Sequence, residues 1–171
     1  MNDQLRTQLL ERMEKEQKLR TDWIDNPDDV QVMMRTIEAD AQNTIWLDEV
    51  IRQYGWLGIS LVGEDGAQAE FLIVQHSPSL QFQKNCLALM EAAVNQREAD
   101  AINLAYLTDR VRLAEGKFQL YGTQGQPGPD GVIVPSPLED EEHVNERRKI
   151  LGLEPIEEYF KVMNEAYKTK K

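Results

Sequence analysis

Apolar residues recur at helical spacing through most of the chain. Over about 3–20, Leu5, Leu9, Leu10 and Met13 share one side while Glu and Lys fill the other, which predicts an amphipathic first helix. Asp25-Asn26-Pro27-Asp28 reads as a stop and restart. Asn26 is the expected cap of the next helix, with Pro27 at its first position and Asp28 and Asp29 facing the positive dipole end. Met33, Ile37, Thr44, Leu47 and Ile51 carry that helix to about Tyr54, where Gly55 ends it. A connection is expected over about 58–66, and Gly63-Glu64-Asp65-Gly66 resembles a helix start with acids in the first turn. Phe71-Leu72-Ile73-Val74 would cover most of the circumference of a helix over about 67–76, so that helix is expected to be central. A strand is the rival reading of the same run. Ser77-Pro78 ends it, and further helices are expected over about 79–96 and 100–115.

Beyond Gly116 the pattern changes. Phe118-Gln119-Leu120-Tyr121 alternates apolar and polar, Val132-Ile133-Val134 is short and β-branched, and the glycines and prolines between them require a loop. A helix beginning near 139–142 has Arg147, Arg148 and Lys149 in its last turn. Leu153-Glu154-Pro155 then leads into a final helix. The fold expected is mainly α: one helical domain, 1–171, of about six or seven helices with a small β-hairpin near 118–134. Within it, 1–25 is a helical N-terminal extension and 139–171 holds the C-terminal helices.

Composition limits the partners. Hydrophobic residues make up 41% and charged residues 29%, which suits a globular protein and argues against disorder. A net charge of -11 repels a phosphate backbone, so no nucleic-acid partner is expected. Lys168, Lys170 and Lys171 read as a solvated basic tail. No apolar run is long enough to span a bilayer, and the polar start Met1-Asn2-Asp3-Gln4 lacks a signal-peptide core. A cytoplasmic protein without a membrane partner is the expectation. Cys86 shares a stripe with Phe82, Leu89 and Ala93 and reads as a core thiol. His76 and His143 stand apart with no Cys or Glu at ligand spacing, so neither a metal nor another cofactor is expected.

The candidate chemistry lies elsewhere. Asp109 and Arg110 sit among apolar neighbours on the helix over about 100–115, a setting where charges need partners. Arg110 suits a carboxylate or phosphate, and Asp109 could orient a histidine or accept a ligand hydrogen bond. An ion-pair network that fixes the hairpin is the structural alternative. His76 ends a helix on a buried-looking face, either as general acid or base or as a cap for terminal carbonyls. His143, among acids, reads as a surface residue. Tyr121, Thr123 and Gln124 offer a phenol, a hydroxyl and an amide beside Gly122, for a polar ligand or for turn chemistry. No P-loop, dinucleotide fingerprint or Gly-x-Ser-x-Gly elbow is present.

In order, Asn43…Trp46-Leu47, Gly55-Trp56, Val62-Gly63, Gln75-His76, Phe82-Gln83, Tyr106-Leu107…Asp109-Arg110 and Tyr121-Gly122-Thr123-Gln124 resemble the domain-of-unknown-function family 6624. The resemblance covers about 43–124 and rests most on the last two motifs. Members often place proline after the Gly-Trp pair, where this chain has Leu57. The family, mainly bacterial, implies a fold unit and site residues but no reaction. It singles out His76, Asp109, Arg110 and the 121–124 run. Two functions are expected to compete. One is a ligand-binding or hydrolase-like pocket for a small anionic ligand, with His76, Asp109 and Arg110 as catalytic candidates and Tyr121, Thr123 and Gln124 as ligand-binding ones. The other is an immunity-like or adaptor module whose acidic surface binds a basic protein.

Overall fold

A computed structural model describes residues 1–168. Lys170 and Lys171 of the basic tail, and the side chain of Lys168, lie outside the described residues. The chain forms two compact units, residues 1–100 and 101–171. Among the described residues it has seven α-helices and one two-stranded antiparallel hairpin.

In the first unit, α1 (Asp3–Asp25) starts at Asn2, whose side chain accepts the Leu5 N–H, and runs one turn longer than expected. Asn26 closes α1 rather than opening the next helix: its N–H donates to the Asp22 and Trp23 carbonyls. The cap of α2 (Val30–Tyr54) is Asp29, which accepts from the Gln31 and Val32 N–H groups. Pro27 and Asp28 are thereby left in the turn between the two caps. The buried face of α2 is also rotated from the expected stripe. Val32, Thr36, Ala39, Asn43, Thr44, Leu47 and Val50 are buried, so Thr44 and Leu47 of that stripe do face inward, whereas Ile37 is 49% exposed.

Gly58–His76 forms α3, so the expected connection is itself partly helical. The helix breaks at Gly63, where φ is +77°, and restarts at the acidic turn read from the sequence. Glu98 secures the first piece, accepting the Ser60 N–H on its carboxylate and the Ile59 N–H on its carbonyl. Phe71, Ile73 and Val74 are buried in helix, not strand. This helix packs chiefly on α1, around Leu9, Leu47, Val62, Ala69 and Val74. On α4 (Leu80–Asn95), Phe82, Cys86, Met90 and Ala93 are buried while Leu89 is exposed. Burial pushes the Cys86 thiol pKa up, with Glu70 and Asp48 adding to the shift, and so suppresses thiolate.

The second unit begins with α5 (Ala101–Ala114). The hairpin strands are β1 (Gly125–Pro127) and β2 (Ile133–Pro135), with Gln126 opposite Val134. Phe118–Tyr121 is not the first strand. The Leu120 and Tyr121 N–H groups bond to the Asp109 carboxylate, so they cannot donate to a ladder. After a 3₁₀ turn at Glu141–His143 come α6 (Val144–Ile150) and α7 (Ile156–Lys168). Val144, Ile156 and Phe160 form their core, with Ile133, Leu138, Tyr159 and Met163 around it.

Candidate functional site

In the first unit the apolar stripe of α1 runs through Leu5 and Leu9 and then places Glu16 in the same buried column. A carboxylate there needs compensation. It has it: Glu16 is 1% exposed, Oε1 lies 2.5 Å from Arg20 Nε and 3.0 Å from His76 Nδ1. Arg20 continues to Asp40 at 2.9 Å. The His76 nitrogen is close to Glu16, but the two form no hydrogen bond. Burial works to raise the Glu16 pKa, but His76 and Arg20 together outweigh it and hold it below the usual carboxylate range. Asp40 moves the other way, raised by burial despite Arg20.

His76 is the last residue of α3, yet it does not cap the helix. The Gln83 side chain donates to the carbonyls of Val74, Gln75 and Ser77 and does that work. The imidazole, 14% exposed, is thus left to Glu16. The Glu16 carboxylate faces Nδ1 of the ring at 3.0 Å.

In the second unit Asp109 is fully buried on α5. Its carboxylate accepts from the N–H groups of Leu120, Tyr121 and Thr123 and from the Thr123 hydroxyl, at 2.7–3.2 Å. The same loop is held from its carbonyl side. Arg147 Nε donates to Leu120, Arg148 Nη1 donates to Tyr121, and the Tyr159 hydroxyl donates to the Thr123 carbonyl. Gly122 sits at φ +66°, a conformation that strains any other residue, and a Cβ there would press on the Ile156 side chain. Gln124 donates its side-chain amide to the Thr123 hydroxyl and its backbone N–H to Gln119.

Among the sequence-derived candidates, Asp109, Tyr121, Thr123 and Gln124 are therefore joined directly by hydrogen bonds. Arg110 follows Asp109 on α5, half-buried. His76 belongs to the first unit and the other five to the second. His143 is on the surface, where Asp140 at 2.8 Å raises its pKa. Sequence reasoning missed Glu16 and Arg148. Glu16 carried a signal, since it continues the Leu5–Leu9 column. Arg148, only 1% exposed and 5.1 Å from the Tyr159 ring centre, looked like an ordinary basic residue of a last turn.

Among the described residues no group of three or more His, Cys, Asp or Glu side chains is placed to hold a metal ion, and no helix is long and apolar enough to cross a membrane. The sequence model of DUF6624, a family of unknown function, matches residues 3–171, beyond the 43–124 stretch that carries the resemblance. No curated protein and no solved structure shows a significant match to the chain.

Proposed function

The chain belongs to the DUF6624 family, and from that premise, which brings no activity with it, we propose that it is a hydrolase-like, ligand-binding protein in which His76 transfers a proton. The observation that supports this is the Glu16–His76 pair: a nearly inaccessible carboxylate 3.0 Å from Nδ1 of a ring that retains some solvent access. Glu16 is the positioning residue, its pKa held below the usual carboxylate range by His76 and Arg20 against the effect of burial. In the second unit Arg110 is the proposed holder of an anionic group. Asp109 is proposed to act through the loop it organises, with Tyr121, Thr123 and Gln124 setting the shape and polarity of that surface.

The test is hydrolysis of p-nitrophenyl acetate and p-nitrophenyl phosphate by the full chain and by His76→Gln. The expected result is turnover above background that falls about 100-fold or more in the variant, with little change in melting temperature. Turnover unchanged by the substitution, with a lowered melting temperature, would assign His76 to structure alone.

A second reading has its own support. Val30, Met34, Ile37 and Ile45 are each about half exposed or more and lie at helical spacing along α2. An exposed apolar stripe of this kind on an acidic protein suits a protein-interaction module for a basic partner. Under that reading Met34→Asp with Ile37→Asp abolishes partner capture while His76→Gln leaves it intact.

A further inference from the structure

Arg12 stands apart from the other arginines of α1. Arg6 is paired with Asp65, and Arg20 is paired with both Glu16 and Asp40. Among the described residues, Arg12 has no carboxylate within ion-pair distance. Its partners are neutral: Nη1 donates to Asn43 Oδ1 at 3.1 Å, and the guanidinium lies 4.3 Å from the centre of the Trp46 ring. Partial burial lowers its pKa, a sign that the cation has lost water without gaining an opposite charge. Stacking on an indole recovers only part of that loss.

The guanidinium also lines a cavity of about 350 Å³ along α1 and α2, within the first unit. That volume is at the small end of ligand sites. Gln8 and Lys15 contribute from α1 and Asn43 from α2, so amide and ammonium groups flank the arginine, while the Gln42 amide, also on the wall, donates to Glu38. Two acids also line it. Glu16 is already engaged by Arg20 and His76, and Glu11 is exposed to solvent. The Nε and Nη2 positions of Arg12 make no hydrogen bond to the protein among the described residues, which leaves part of its planar donor fork for a ligand.

We infer that this cleft is a binding site for a small oxyanion, a carboxylate or a phosphate group, held by Arg12 on the Trp46 face with Lys15 and the Gln8 amide beside it. Trp46 fixes the plane of the fork, and Asn43 holds one of its nitrogens, so the remaining donors are set before the anion arrives. Its proposed donors are distinct from His76, and the two places share only Glu16.

The test follows the Trp46 indole N–H resonance of the full chain, assigned with Trp46→Phe, during separate titrations with inorganic phosphate and acetate at constant ionic strength. The expected result is a saturable shift at Trp46, absent from Trp23 and Trp56, for at least one of the two anions. The anion that saturates identifies the group the site takes. Arg12→Gln should weaken binding at least tenfold at an unchanged melting temperature, and Arg12→Lys should fall between, because it retains the charge but not the fork. His76→Gln should bind as the wild type does, which separates failure here from failure of the proton-transfer reading. No saturable shift with either anion in the wild-type chain, or an equal shift in Arg12→Gln, overturns the inference. The wild-type titration decides the matter even where a variant does not fold.

Discussion

Glu16 in the first unit and Asp109 in the second are both buried carboxylates, and they are satisfied by opposite means. The partners of Glu16 are ionisable side chains, Arg20 and His76. The partners of Asp109 are three backbone N–H groups and a hydroxyl, which do not titrate near neutral pH. The first arrangement can pass a proton or respond to a ligand. The second fixes a piece of chain. A buried acid thus marks chemistry or architecture according to who answers it, and burial alone does not distinguish them.

The largest effect should come from breaking the second arrangement. Asp109→Ala leaves three loop N–H groups without an acceptor, and each unsatisfied donor costs about 1–3 kcal/mol. A loss of several kcal/mol, read as the urea midpoint, is expected. A loss below about 1 kcal/mol would mean that water replaces the carboxylate readily and that the loop is not held by it.

Glu70 sharpens the comparison as a third type, a buried acid with neither kind of full support. It accepts the Leu57 N–H on Oε1, but its Oε2 has no partner, and burial raises its pKa to about 8. The folded state therefore holds a proton that the unfolded chain releases near its ordinary value. Stability from this group falls as pH rises from the unfolded pKa toward about 8. At pH 7 the loss is on the order of 3 kcal/mol. Glu70→Gln keeps an acceptor for Leu57 and removes the titration. Its stability, followed by thermal melts between pH 5 and 8, should be flatter than the wild type's and higher at the alkaline end. Parallel curves would place the proton elsewhere.

The smallest effect belongs to Glu16. Its pKa is depressed in the fold, so its stabilisation is present above the ordinary carboxylate value and disappears as pH falls through the lowered one. Glu16→Gln should lose about 1–2 kcal/mol at pH 7 and show a shallower acid transition. An acid transition identical to the wild type's would remove Glu16 from the account of its pairing with His76 and Arg20.

Periodicity made the helices legible, and it placed Gly55, Ser77-Pro78 and the acidic restart after Gly63 at real boundaries. It failed where one polar residue replaces another in a competing role. Asn26 and Asp29 are both good caps, and which of them serves depends on how the chain turns at Pro27. Phe118–Tyr121 has strand patterning, but its N–H groups are claimed by a carboxylate more than ten residues earlier, a long-range bond that local alternation cannot register. The inward bias of Asp109 was visible from its apolar neighbours. The partner that answers His76 was not, because Glu16 lies some sixty residues away on another helix and is one of three glutamates on α1.

The loop at 120–124 is gripped mainly by its main chain: Asp109 takes its N–H groups, and Arg147, Arg148 and Tyr159 supply donors to its carbonyls. Such a grip is largely indifferent to what the outward side chains are. Apart from Gly122 and Thr123, replacing the side chains it displays should leave the path of the backbone in place. The segment is built as a mount on which surface chemistry can be rewritten without redesigning the support.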